Sequence, residues 1–148
     1  MRAFVQRVAQ ALVRSNNNVT GTISSGLLVL VGVAADDSDQ DIQYTVRKLT
    51  SLRIFADSEG RLNLDVKQAG GSLLVISNFT LYGDVRRGNR PSFAKAAEPL
   101  KAEQLYENFL TSLRATGVPV QAGVFRTHMQ FEMTADGPVS IWIDSRTT

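Results

Sequence analysis

The run from Leu27 to Val33 is nearly all apolar, and it constrains the fold more than any other stretch. A strand with no polar side must be covered on both faces, so this one is expected at the centre of a sheet. Leu73 to Ile76 is a second continuous apolar run, set off by Gly70-Gly71. It delivers Ser77, Asn78, Phe79 and Thr80 at the end of a buried strand. Around these runs the pattern is mixed. Met1 to Val8 alternates as a strand, with Ala3, Val5 and Arg7 on one face and Phe4 and Val8 on the other. Ser15 to Asn18 is a polar turn, after which Val19, Gly21 and Ile23 resume the alternation. Ile42, Val46, Leu49 and Leu52 recur at helical spacing behind the N-caps of Asp36 to Asp39, which predicts a helix from about Asp39 to Ser51. Arg53 to Phe55 reads as a short strand. A second helix opens at Pro99, shows a stripe of Leu105, Phe109 and Leu113, and stops at Gly117. Pro119 begins an extended segment toward Phe125 and Met129. Met129, Phe131 and Met133 then alternate with Gln130 and Glu132, which predicts a strand with one buried face. Val139, Ile141 and Ile143 alternate in turn, so Thr134 to Pro138 reads as a link between two strands. Strands at both ends with two helices between favour mainly antiparallel pairing and an α+β fold.

At 148 residues the chain is expected to form one domain, residues 1–148, with room for one substantial core. It has no cysteine, which excludes disulfides, thiolate nucleophiles and cysteine-held zinc. His128 is the only histidine, so a multi-histidine metal site and a serine-type triad are not expected. Asp57-Ser58-Glu59-Gly60 lacks the ligand spacing of a calcium loop and reads as a solvated turn. No metal or other cofactor is expected. No apolar run approaches the roughly 18 residues that span a bilayer, and Met1 to Gln10 lacks the apolar core of a secretory signal. The expectation is a cytoplasmic protein with no membrane partner.

A formal charge of +2 does not by itself argue for nucleic acid, but its distribution is uneven. From Gly83 to Lys95 the chain carries Arg86, Arg87, Arg90 and Lys95 against Asp84 alone, in a stretch that Gly83, Gly88, Asn89 and Pro91 mark as a loop. Phosphate contact and a solvated loop are both open for it. In Gly137-Pro138 the proline removes a donor and restricts the residue before it, so the Gly137 carbonyl is free to point outward and receive an ammonium group. A plain turn is the alternative. Arg7, on an inward face, needs acceptors, which makes it a candidate brace for a functional backbone segment. A frayed strand with a solvated Arg7 is the alternative.

Two stretches bring these features together. Ser77-Asn78-Phe79-Thr80-Leu81 and Ala135-Asp136-Gly137-Pro138-Val139-Ser140 resemble the paired signatures of D-aminoacyl-tRNA deacylases, Ser-Gln-Phe-Thr and Asn-x-Gly-Pro-Val-Thr. Gln6-Arg7-Val8, Gly26-Leu27-Leu28-Val29, Arg53-Ile54-Phe55, Gln68-Ala69-Gly70-Gly71-Ser72 and Arg90-Pro91-Ser92-Phe93 are similar to that family in the expected order. The resemblance implies a barrel-like core of mainly antiparallel sheets flanked by two helices. It also implies a homodimer with active sites at the subunit interface. Gly137 and Pro138, joined by a cis bond, would reach into the partner's pocket, bind the amino group and exclude an L side chain. Arg7 would brace that segment, Phe125 and Met129 would line the region of the terminal adenosine, and Arg86, Arg87 and Arg90 would lie near the tRNA acceptor end. DNA is not an expected partner. The activity implied is hydrolysis of the ester of D-aminoacyl-tRNA, and of mischarged glycyl-tRNA, as proofreading in translation.

The sequence departs from those signatures at Asn78, where the family has Gln, at Ala135 and Ser140, and in Arg126-Thr127-His128. The shorter Asn78 is expected to lose a hydrogen bond toward the Gly-Pro segment or to replace it by water. Thr80 has no base near it in sequence, so it and Phe79 are read as donors or positioners whose backbone N–H groups stabilise an oxyanion, with Ser77 and Asn78 beside them in the catalytic set. The resemblance implies that the 2′-hydroxyl of the RNA, rather than a protein base, assists hydrolysis. His128 is expected to face away from Met129 on a shared strand, at the surface. Trp142 is expected to cover the sheet or a dimer contact. Two other readings stay open: a tRNA-end binding dimer that has lost catalysis through Asn78 and Ala135, and a structural dimer with no RNA partner.

Overall fold

The computed structural model describes residues 1–146. A long strand, β1 (Arg2–Ser15), organises a six-stranded sheet. One edge of β1 carries β3 (Gly26–Gly32) along Arg2 to Val8 and β2 (Asn18–Ile23) along Ala11 to Ser15, both antiparallel. The β1–β2 hairpin turns at Asn16 and Asn17, whose φ angles of 50° and 65° suit the tight turn that right-twisted strands favour. On the other edge β1 pairs along its length with β8 (Met129–Asp144). Beyond β3 come β6 (Ser72–Ser77) and β7 (Val120–Ala122), each parallel to its neighbour. Helix α1 (Asp39–Ser51) lies in the β3–β6 crossover and α2 (Pro99–Ala115) in the β6–β7 crossover, as parallel pairing requires. A two-stranded sheet, β4 (Phe55–Ala56) with β5 (Leu62–Leu64), follows α1.

The sheet curls into a barrel-like form, and this gives β3 and β6 two buried faces. Leu27, Val29, Leu73 and Val75 face the helices with Leu49, Phe109 and Leu113. Leu28, Leu74 and Ile76 face Val8, Val13 and Ile23 inside the curl. Each such side chain contributes about 1.5–3 kcal/mol on burial. The two apolar runs in the sequence are the record of these two cores.

The pairing is mainly antiparallel, as expected, in β1–β2, β1–β3, β1–β8 and β4–β5, while β3–β6 and β6–β7 are parallel. Two expectations need correction. Thr134 to Pro138 is not a link between two strands, because β8 is continuous and bulged. Ala135 pairs with Val8 and Ser140 with Gln6, so Asp136, Gly137, Pro138 and Val139 all stand opposite Arg7. The face bearing Phe131 and Met133 is not buried in the chain, at 41% and 37% exposed, whereas Met129 packs on the inner core. Trp142, 49% exposed, lies against Phe4 with ring centroids 6.4 Å apart. Among the described residues no helix is long and apolar enough to cross a membrane, and no cluster of side chains suits a metal ion.

Candidate functional site

The end of β6 builds the site. Val31 pairs with Ser77, and the Asn78 N–H donates to the Val31 carbonyl at 2.7 Å, so the chain leaves the sheet in a fixed direction. It then turns into a 3-10 helix, Phe79–Tyr82, capped by Asn78. The Asn78 Oδ1 accepts from the Thr80 N–H at 3.1 Å and from the Thr80 hydroxyl. Asn78 thus serves its own turn, a use that neither a lost bond nor a bridging water anticipates. One of the two amides read as oxyanion donors, that of Thr80, is engaged. The Phe79 N–H, first in the helix, has no acceptor among the described residues.

These residues line a cavity of about 510 Å³, within the range of small-molecule sites. Its walls include Val31 in β3 and Val33 just after it, Tyr106 from α2, Phe125, and Met129 and Phe131 at the start of β8. Phe125 stacks on Tyr106 at 5.6 Å. The Tyr106 hydroxyl donates to the Val75 carbonyl at 3.3 Å, and burial pushes its pKa well above the ordinary tyrosine value, so it stays neutral. At the exposed side Phe79 meets Phe93 edge to face at 4.9 Å. Among the described residues no carboxylate lines the cavity.

Of the residues the sequence singled out, Ser77, Asn78, Phe79, Thr80, Phe125 and Met129 come together here. Arg7, Gly137, Pro138, Arg86, Arg87 and Arg90 lie outside this wall. Arg7 is held elsewhere: Nη1 donates to the Ile54 carbonyl at 2.5 Å and Nε to the Asp136 carbonyl at 3.1 Å, with the Asp136 carboxylate also 3.1 Å away. Its guanidinium therefore fixes the residue before Gly137. The Gly137–Pro138 bond is cis, and both residues are exposed on the bulge. Gly137 has φ 137°, and a Cβ there would sit 2.7 Å from the Val139 nitrogen, so only glycine fits.

In the basic loop Asp84 and Ser92 exchange two backbone hydrogen bonds, at 2.8 and 2.9 Å. Arg86 folds onto the Asp84 carboxylate through Nε and Nη2, and this pairing holds the carboxyl well below its usual range. Arg87 and Arg90 have no partner among the described residues. Sequence reasoning missed Tyr106, one residue beyond the Leu105 of the apolar stripe, and the cavity role of Arg126 and His128. His128 is exposed, as expected, but it lies in the loop before β8 rather than on the strand, so alternation does not apply to it and it lines the same cavity as Met129.

The family model described as D-Tyr-tRNA(Tyr) deacylase matches residues 4–144. The chain is 53% identical over 146 residues to the D-aminoacyl-tRNA deacylase of Anaeromyxobacter dehalogenans, spanning 99% of this chain and 98% of that one. A solved structure described as c-Myc DNA unwinding element binding protein is similar with TM-score 0.93 and 34% identity, over 99% of this chain and 100% of the other. One described as a probable eukaryotic D-amino acid tRNA deacylase has TM-score 0.81 over 96% and 97% of the two chains, and at 17% identity it shows the fold alone.

Proposed function

The chain belongs to the D-Tyr-tRNA(Tyr) deacylase family, a family of hydrolases acting on the ester of D-aminoacyl-tRNA, and from that premise we propose how its site works. The 3′-terminal adenosine enters the cavity between the Phe79 and Phe93 pair and the Phe125 and Met129 wall. The ester carbonyl points to the Phe79 N–H, which stabilises the oxyanion as water adds to the carbonyl carbon. The bond to the ribose oxygen breaks, and the neighbouring 2′-hydroxyl relays the proton to the leaving oxygen. The observation that carries this reading is a cavity built on Ser77 to Thr80 that, among the described residues, has an unpaired Phe79 N–H and no carboxylate in its wall. Thr80 acts as a positioning residue. Its hydroxyl donates to Asn78, which leaves its lone pairs facing outward as acceptors.

Selection by handedness comes from Gly137 and Pro138 of a second copy. Their exposure on the bulge, outside their own chain's cavity, supports a cross-subunit role, as do the uncovered Phe131 and Met133 nearby. The carbonyls of this segment receive the substrate ammonium and leave no room for an L side chain. Glycine has none to reject, so glycyl-tRNA is also a substrate. Arg7 keeps the segment aimed, and Arg87 and Arg90 meet phosphates of the acceptor end, with Arg86 held back by Asp84.

Matched D-, L- and glycyl-tRNAs incubated with the protein test this reading. Release of D-residues and glycine with L-esters spared is expected, and equal rates for both hands would sink it. A second mechanism has one observation in its favour, the presence of His128 in the cavity wall. A terminal 2′-deoxyadenosine should abolish hydrolysis while His128→Ala retains it; the opposite pattern assigns the proton transfer to His128.

A further inference from the structure

Arg126 stands where neither the fold nor its neighbours call for an arginine. Its φ of 59° is left-handed, a conformation that disfavours any L side chain and admits mainly Gly, Asn and Asp. Its side chain makes no hydrogen bond or ion pair among the described residues. It is exposed, yet it lines the cavity, so it belongs to the rim rather than the floor. Among the described residues no other one lining the cavity is an Arg, Lys, Asp or Glu, so Arg126 has no counter-ion in that wall. Disfavoured backbone angles of this kind gather at ligand clamps.

The deacylase reading, on which this inference rests, limits what that cation can meet. The amino-acid end of the substrate brings an ammonium, which a guanidinium repels. The nucleotide end brings phosphates, and the first lies just 5′ of the terminal adenosine. We propose that Arg126 is a substrate-positioning residue that holds this phosphodiester at the cavity rim and so sets the depth at which the adenosine enters. A planar fork of N–H donors suits two phosphate oxygens. Thr127 and His128 complete the same rim, and the Thr127 hydroxyl is engaged, donating to the Val124 carbonyl at 2.9 Å and accepting from the Ser15 hydroxyl at 2.8 Å, which leaves the phosphate to its neighbour.

The experiment compares wild type, Arg126→Gly and Arg126→Lys on D-tyrosyl-tRNA at several salt concentrations, and on D-tyrosyl adenosine, an ester that has no phosphate. For Arg126→Gly the KM for tRNA should rise about fivefold with kcat held, as for an exposed charged contact. Its plot of log kcat/KM against log salt should flatten by about 0.7, the share of one phosphate on a single strand. Arg126→Lys should restore the slope. On the adenosine ester the ratio of wild type to variant should fall to one. Glycine fits the left-handed backbone, so Arg126→Gly should melt no lower than wild type, which separates lost binding from lost folding. An unchanged salt slope, or an equal loss on the adenosine ester, overturns the proposal. Wild type inert toward both D-esters would remove the deacylase reading itself, a result distinct from any difference between variants.

Discussion

Asn78 commits its side-chain oxygen to Thr80, and this choice fixes what the turn can offer a substrate. With φ −146° and ψ 92° the residue is extended, which lets a short side chain reach the amide two positions on. Asn78→Ala should lower stability by about 1 kcal/mol, as loss of a helix N-cap does, and Asn78→Asp should not, since it keeps an acceptor; thermal unfolding of the pair decides, and an alanine variant as stable as wild type removes the argument. Gly137 is constrained differently. At φ 137° with the Val139 nitrogen 2.7 Å from any added Cβ, Gly137→Ala has to displace the bulge, against a local cost of roughly 1–3 kcal/mol. Because the bulge is exposed, the expected result is a folded variant that melts several degrees lower, with L-aminoacyl-tRNA newly cleaved. Continued rejection of L-esters by a folded variant would take handedness away from this segment. The sequence made both positions visible as residue types. It did not make visible that Asn78 would turn back on Thr80, because that depends on backbone angles set by the β3–β6 ladder.

Strand β8 shows where periodicity stops being informative. Met129, Phe131 and Met133 alternate as a half-buried strand should, yet only the first finds its cover within the chain. A period of two says that a face is apolar and leaves open what lies on it. The same limit explains the bulge, since the pattern on either side of Thr134 to Pro138 is that of two strands, and only the partner β1 reveals a single one. The parallel pairs β3–β6 and β6–β7 were hidden for another reason: their partners are separated by long crossovers, and no local signal states direction. The apolar runs and both helices, by contrast, depend on nearby residues and were legible nearly to their ends. If the open face of β8 seats a second copy, Phe131→Lys should leave the circular dichroism unchanged, convert a dimer to a monomer in sedimentation and reduce deacylation with it. A wild-type protein that sediments as a monomer at assay concentration would end the cross-subunit account.

At the scale of the whole molecule, charge ties the ends of the described chain to the first turn of α1. The Met1 ammonium, fully buried, donates to the Asp37 carboxylate at 2.6 Å and to the Ser145 hydroxyl. Ser145 in turn donates to Asp41, and Arg146 reaches Asp36, Asp37 and Asp41. Burial alone would raise the Asp41 pKa, but the Ser145 hydroxyl and the Ser38 N–H and hydroxyl, with the Met1 ammonium beyond them, hold it well below the usual 3.8. A carboxylate whose pKa is lower folded than unfolded binds fewer protons in the native state, so its contribution is complete above the unfolded value and is lost as the pH falls toward the folded one. Melting temperature should therefore be level between about pH 5 and 7 and should fall progressively below pH 4. Asp41→Asn should lower the plateau and shrink the acid fall, because a neutral amide accepts from the two serines less strongly and does not titrate. Identical pH profiles for the two proteins would show that the junction of β1, α1 and residues 144–146 owes nothing to that charge.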